Sequence, residues 1–175
     1  LVQPGTYYEN IYLNTSSVVL MSLAPFNQDM SYIGQTVIDA DGSGRAVQVD
    51  GSASGGELNG FTLQNGYVDI DSEDWPDNEA TGLLLHNAND FRVINLVVRD
   101  NQGRWGGGIS VNGSQNTHLE NIWIENNTSQ SGAGIFYNGA GQGYARDITI
   151  IGNTATNIGG GIYFYNGSNI DVVNL

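Results

Sequence analysis

Apolar and polar residues alternate with a period of two along most of the chain. One set of short segments comprises Val47-Gln48-Val49, Leu83-Leu84-Leu85, Ile109-Ser110-Val111, Ile135-Phe136-Tyr137 and Ile162-Tyr163-Phe164. A second set comprises Phe61-Thr62-Leu63, Leu96-Val97-Val98, Ile122-Trp123-Ile124 and Ile148-Thr149-Ile150. Side chains of a strand point alternately to its two faces, so the outer residues of each triplet face a core and the middle one faces out. Before residue 45 the alternation around Tyr7 to Leu13 and Ser17 to Met21 predicts two short strands. Val37-Ile38-Asp39-Ala40 predicts another, and residues 25–36 read as a loop. No stretch carries the 3.6-residue period of an amphipathic helix.

The segments recur at a fixed interval. Gly106-Gly107-Gly108-Ile109 returns 26 residues later as Gly132-Ala133-Gly134-Ile135, and after 27 more as Gly159-Gly160-Gly161-Ile162; Gly82-Leu83 lies 26 before Ile109. Strands repeated at one period, none able to bury its apolar face alone, predict a coil in which stacking makes the core. Glycine before each inward isoleucine permits positive φ or close chain approach at a corner. Asn101, Asn127 and Asn153 are also 26 apart. Stacked one strand spacing apart, about 4.8 Å, their amides can hydrogen-bond up and down as a ladder. The predicted fold is an all-β parallel solenoid over residues 1–175 with coils of roughly 26 residues and no significant helix.

Charge narrows the partners. Among 175 residues, 18 are acidic and five basic, giving a net charge of −13. All five are arginines, and there is no cysteine. Nucleic acid and anionic lipid, both bound through basic side chains, are poor partners. No apolar run is long enough to span a membrane. The chain opens without Met and ends within a strand pattern, which leads to the expectation that it is an internal piece of something longer.

These residues resemble the right-handed parallel β-helix group of the pectin-lyase-like superfamily. The features that carry the likeness are Pro4-Gly5-Thr6-Tyr7-Tyr8-Glu9-Asn10-Ile11, Leu58-Asn59-Gly60-Phe61-Thr62-Leu63-Gln64-Asn65-Gly66, the Gly-Gly-Gly-Ile units and Glu125-Asn126-Asn127-Thr128. Its secreted bacterial branch and the polymorphic outer-membrane protein repeats are similar. The resemblance implies a right-handed coil and an extracellular or cell-surface location. It does not choose among the lyases, hydrolases, esterases, adhesins and inert stalks built on this architecture. Gly5-Thr6-Tyr7-Tyr8-Glu9 resembles an early element of pectin methylesterases, whose later catalytic signatures have no counterpart here. Lyases of the group use Arg or Lys as base, often beside Ca²⁺. Register pairs Arg99 with Glu125 and Glu120 with Arg146 as neighbours on successive coils and places Arg92 beside His118, which leaves Arg104, next to Trp105, as the least explained.

Two departures from the repeat are candidate sites. Phe61 to Leu96 spans 35 residues, and the excess falls at 67–80, where six acidic residues crowd positions 69–79. Asp69, Asp71, Glu73 and Asp74 could supply carboxylate oxygens to Ca²⁺; a solvated acidic loop is the alternative. Aromatic residues at outward positions are the second feature. Phe136 and Tyr163 on one strand set, and Trp123 on the other, can stack on sugar rings, or pack under a neighbouring segment. His86 also points outward near the acidic insertion. The favoured function is an extracellular or cell-surface, adhesin-like β-helix module that contacts polysaccharide or a cell-surface glycan. A polysaccharide lyase or glycoside hydrolase, with Arg104 or His86 assisting the acidic insertion, is the first alternative. End-to-end self-association through open strand edges is the second.

Overall fold

A computed structural model describes residues 1–69 and 79–175. The alternating segments are strands, all main pairings are parallel, and they wind into about six right-handed coils. One column of partners runs Ile11, Val47, Leu83, Ile109, Ile135, Ile162, each residue stacked on the equivalent of the next coil. The wall built on it is a six-stranded sheet, called here the second sheet. The other wall is a nine-stranded wide sheet. Its long strands Arg92–Arg99, His118–Glu125 and Gly141–Ile151 each bend in the middle, where Asn95, Asn121 and Asp147 take positive φ. Asn and Asp tolerate the left-handed region better than other side chains. A two-stranded sheet, Thr128–Ser131 on Thr154–Ile158, closes the coil between the two larger ones.

The inward residues of every strand form one continuous core that includes Val49, Leu63, Leu85, Val98, Val111, Leu119, Ile124, Ile135 and Ile148. Each coil adds a layer to it, and no layer would be buried alone.

Corners are built from the two residue types expected, with a division of labour. The first glycine of each triplet, Gly106, Gly132 and Gly159, has φ of +68°, +65° and +71°. The third is there for space. A Cβ on Gly108 would sit 2.7 Å from the Gly134 carbonyl oxygen and 3.0 Å from Ile124 Cγ2. The asparagine ladder forms as predicted. Asn101 Nδ2 donates to Asn127 Oδ1 at 3.0 Å, and Asn127 Nδ2 donates to Asn153 Oδ1 at 2.9 Å. Each amide also donates across the corner, to Leu63, Val98 and Ile124 carbonyls. A second column, Asn59, Asn95 and Asn121, runs along the bend of the wide sheet.

The helical content is confined to short pieces, but the stretch expected to be a loop at 25–36 contains most of it. Ser22 Oγ accepts from Ala24 N and starts the α-helix Leu23–Asn27; Asp29 Oδ1 accepts from Ser31 N and starts the 3-10 helix Met30–Gln35. Side-chain capping, which apolar periodicity does not register, sets both. This insertion replaces the tight corner Gly60-Phe61 of the next coil and lies against the wide sheet, with Thr62 Oγ1 donating to the Ile33 carbonyl at 2.9 Å.

The second insertion is located by its flanks. Tyr67 bridges to Gln102 and Glu79 bridges to Trp105. Three residue steps in the later coil therefore face twelve in the earlier one. The nine extra residues, 70–78, lie outside the described residues.

Candidate functional site

The outward faces of the two large sheets present different surfaces. On the second sheet the column Gln48, Leu84, Ser110, Phe136, Tyr163 stands one residue past the inward column. These side chains point away from the core, yet Leu84 and Ser110 are fully buried and Phe136 is 3% exposed. Over Phe136, part of the cover among the described residues comes from the chain after Gly103. The Trp105 ring lies 5.5 Å from that of Phe136, and the Gly106 turn is tight enough that a Cβ there would sit 3.0 Å from Phe136 Cβ. Phe136 is thus the base of an aromatic cluster, its ring tilted by 31° to that of Trp105. Tyr163 at 5.6 Å and Tyr165 at 6.3 Å extend the cluster outward. Tyr165 is 53% exposed and offers the open ring.

Beside these rings is a cavity of about 220 Å³ lined by Glu79, Trp105, Phe136, Asn138 and Tyr165. Glu79 is the first described residue after the acidic insertion and is only 1% exposed. Asn112 Nδ2 donates to both of its carboxylate oxygens, at 2.8 and 2.9 Å, and Arg45 Nε donates to its carbonyl at 3.1 Å. The Arg104 guanidinium is 5.8 Å from the centre of the Trp105 ring. The arrangement combines ring faces, an amide and a carboxylate, the groups that hold a polyhydroxylated or cationic ligand.

Farther along the same sheet, Asp50 aligns with His86, and His86 with Asn112. The Tyr12 hydroxyl donates to Asp50, whose carboxyl is held below its ordinary range chiefly by that bond.

On the wide sheet the outward column is Thr62, Val97, Trp123, Thr149. Trp123 stands in the open, 44% exposed, with its indole N–H donating to Glu125 Oε2 at 2.9 Å. Hollows of about 430 and 330 Å³ flank it, the first lined by Gly34, Thr62, Arg99 and Glu125, the second by Met30, Ile33, Asp147 and Thr149. Trp123 and the Phe136–Tyr163 pair therefore belong to different sheets and do not form one surface.

Arg99 does align with Glu125. Its guanidinium instead donates to Gln64 Oε1 at 3.1 and 2.8 Å, while Glu125 accepts from the Trp123 indole. The Glu120–Arg146 pair forms as expected at 2.7 Å. Arg92 aligns with His118 and reaches Glu57 at 2.7 Å. Of the Ca²⁺ candidates, Asp69 is exposed. Asp71, Glu73 and Asp74 lie outside the described residues. Among the described residues no group of three or more His, Asp or Glu is placed to hold a metal, and no helix is long and apolar enough to cross a membrane.

Sequence reasoning missed Trp105, Tyr165 and Glu79. Two of these had a signal in the spacing. Tyr165 lies two residues after Tyr163 and so shares its face. Glu79 lies 26 before Trp105, so it belongs to the repeat and not to the insertion. Trp105 had none, since nothing in the alternation says that a corner folds back over a sheet.

Parallel strands in register, glycine corners and a stacked asparagine column define a right-handed parallel β-solenoid. Residues 10–174 match the family model described as right handed beta helix region, and the chain belongs to that family. Comparison with curated proteins and with solved structures gives no match.

Proposed function

We propose that the protein is an extracellular or cell-surface display module, adhesin-like in role, that contacts carbohydrate through the outer face of its second sheet. The observation that carries the reading is the aromatic cluster Trp105, Phe136, Tyr163 and Tyr165, which ends in an exposed tyrosine ring beside a cavity holding a carboxylate and an amide. Pyranose rings stack their C–H faces on such rings, and their hydroxyls need a few fixed acceptors and donors. Phe136 stands on an interior strand paired on both sides, which holds the base of the cluster rigid, while Tyr163 and Tyr165 stand on the edge strand Ile162–Tyr165. That rigidity lowers the entropic cost of binding. Calorimetric titration against a panel of oligosaccharides tests the proposal. A ligand should emerge whose affinity drops about tenfold or more in Tyr165→Ala, as expected when one stacking ring worth 1–2 kcal/mol is lost. Affinity unchanged in the Tyr163→Ala, Tyr165→Ala double variant would remove this face from consideration.

A further inference from the structure

We infer that the wide sheet carries a saccharide site of its own: the trough around Trp123, which takes a short run of neutral pyranose units. The site lies on the other wall from the aromatic cluster, so it goes beyond the reading above and stands or fails separately from it.

The shape of the face comes first. The two hollows beside Trp123 share Val97 and the indole and differ in where they lie along the strands. The larger, about 430 Å³, reaches Arg99 and Glu125, two residues after Val97 and Trp123. The smaller, about 330 Å³, reaches Asn121 and Asp147, two residues before Trp123 and Thr149. Together they make a trough that follows the strand direction past one ring. From Asn121 to Glu125 is about 13 Å at the rise of a strand, the length of a short oligosaccharide. Met30, Ile33 and Gly34, all from the insertion, line one side of it.

The polar groups then choose the ligand. The indole N–H is tied to Glu125 Oε2, which fixes the ring before anything binds and lowers the cost of stacking on it. Arg99 and Glu125 stand side by side on adjacent strands, yet among the described residues they form no ion pair. Arg99 commits Nε and Nη2 to the single oxygen Gln64 Oε1, and Glu125 Oε1 has no hydrogen bond among the described residues. A guanidinium donor beside a carboxylate acceptor matches adjacent sugar hydroxyls, each of which both donates and accepts. At the far end Asn121, Asp147 and Thr149 offer the same mixture. An extended peptide gains less here, because the strands beneath are paired on both sides and offer it no backbone groups. A uronate is disfavoured. Glu125 and Asp147 stand at the two ends against one guanidinium in the lining, and the molecule carries a net charge of −13.

The test uses the whole chain and hexasaccharides of glucose, mannose and N-acetylglucosamine, with a hexagalacturonate as the charged control. The decisive comparison is made in Tyr165→Ala, which cripples the second-sheet site. In titration calorimetry at least one neutral oligomer should still bind this variant, and adding Trp123→Ala should weaken that binding about tenfold or more. Trp123 is 44% exposed, so its loss leaves the core in place, and a thermal melt checks this. Binding that is lost in Tyr165→Ala and unchanged in Trp123→Ala overturns the inference and leaves the second-sheet reading standing. Binding that is unchanged in Tyr165→Ala and lost in Trp123→Ala supports the trough and counts against the second sheet. Binding that survives both substitutions lies on neither face and overturns the inference. A hexagalacturonate that binds as tightly as the neutral oligomers overturns the ligand class, and binding of none of the four overturns both readings.

Discussion

The outward column of the wide sheet and that of the second sheet occupy equivalent slots in one repeat, and each carries an aromatic residue in the coil pair around residues 123–136. Trp123 stands open to solvent, whereas Phe136 is sealed. Alternation is identical in the two cases. The difference lies in what crosses the outside. The 22–35 insertion reaches over Thr62 but stops short of Trp123, and its nearest approach leaves a hollow on each side. Over the second sheet the corner at Trp105 and Gly106 folds back onto Phe136, and Glu79 follows the same path one coil earlier. An outward position in a solenoid is therefore only a candidate for exposure. The corners decide, and on the second sheet they turn an aromatic column into a site with a floor, a wall and a rim.

The largest expected effect is a stability contrast between the two aromatics. Phe136→Ala empties a sealed position and should cost about 3–5 kcal/mol. Trp123→Ala removes a ring that is half solvated and should cost about 1–2 kcal/mol by the area it buries. Denaturant unfolding of both variants measures the difference. Equal costs would mean that Phe136 is no better packed than Trp123, and the contrast between the faces would fail.

Next is the corner that joins the faces. Asn127 lies between the strand of Trp123 and the strand Thr128–Ser131 that leads toward Phe136. Its Oδ1 accepts from the N–H and the amide of Asn101, and its Nδ2 donates to Val98 O and Asn153 Oδ1. Asn127→Ala strands these groups in the interior, at a cost of about 2–4 kcal/mol. Thermal unfolding of this variant beside Asn153→Ala, where the corner is partly open to water, should show the larger loss at 127.

Asn127 also shows how much was legible beforehand. The fold and its ladder follow from spacing alone, because a parallel coil stacks residue n on residue n + 26 and the side chains must satisfy one another at that interval. Pairings along the stack were readable for the same reason, as Glu120 with Arg146 shows. Arg99 aligned as expected, but its guanidinium binds Gln64 one coil earlier and Glu125 accepts from the Trp123 indole, and spacing carries no information about which neighbour a long side chain chooses. The candidate site was half legible. Phe136 and Tyr163 were placed on the right face, but the cover from Trp105 and the carboxylate of Glu79 arise from corner geometry, which breaks the repeat and so lies beyond its reach.

A smaller effect sits just beneath Phe136. Tyr137 points into the core, stacked on Phe164 at 5.1 Å, with a fully buried hydroxyl that has no hydrogen-bond partner among the described residues. Burial also pushes its ionisation far above the ordinary tyrosine range. Tyr137→Phe removes an unmet polar group while keeping the ring, and should raise stability by about 1 kcal/mol. The outer face should not notice: oligosaccharide affinity stays that of the parent chain. A loss of binding would show that the cavity depends on the core layer below it.

The smallest effect separates the faces by pH. On the wide sheet, Asp39 shares a column with Tyr8, Gln64 and Arg99. Burial pushes its carboxyl up, but donation from Gln64, from the backbone N–H of Asp41 and from Asn65, together with the charge of Arg99, outweighs burial and holds it below 3.8. A lowered folded value means that the unfolded chain binds the proton first. The stabilisation is therefore complete above the ordinary carboxylate range and drains away as pH falls through the folded value. Many other carboxylates titrate in the same region, so the measurement is a difference. The stability gap between the parent chain and Asp39→Asn should be constant from neutral pH down to about 5 and narrow below about 4. Binding at the second sheet, followed over the same range in Asp39→Asn, should track the parent chain, because Asp39 belongs to the other large sheet. If it does not, the two walls are coupled through the coil and cannot be treated as separate surfaces.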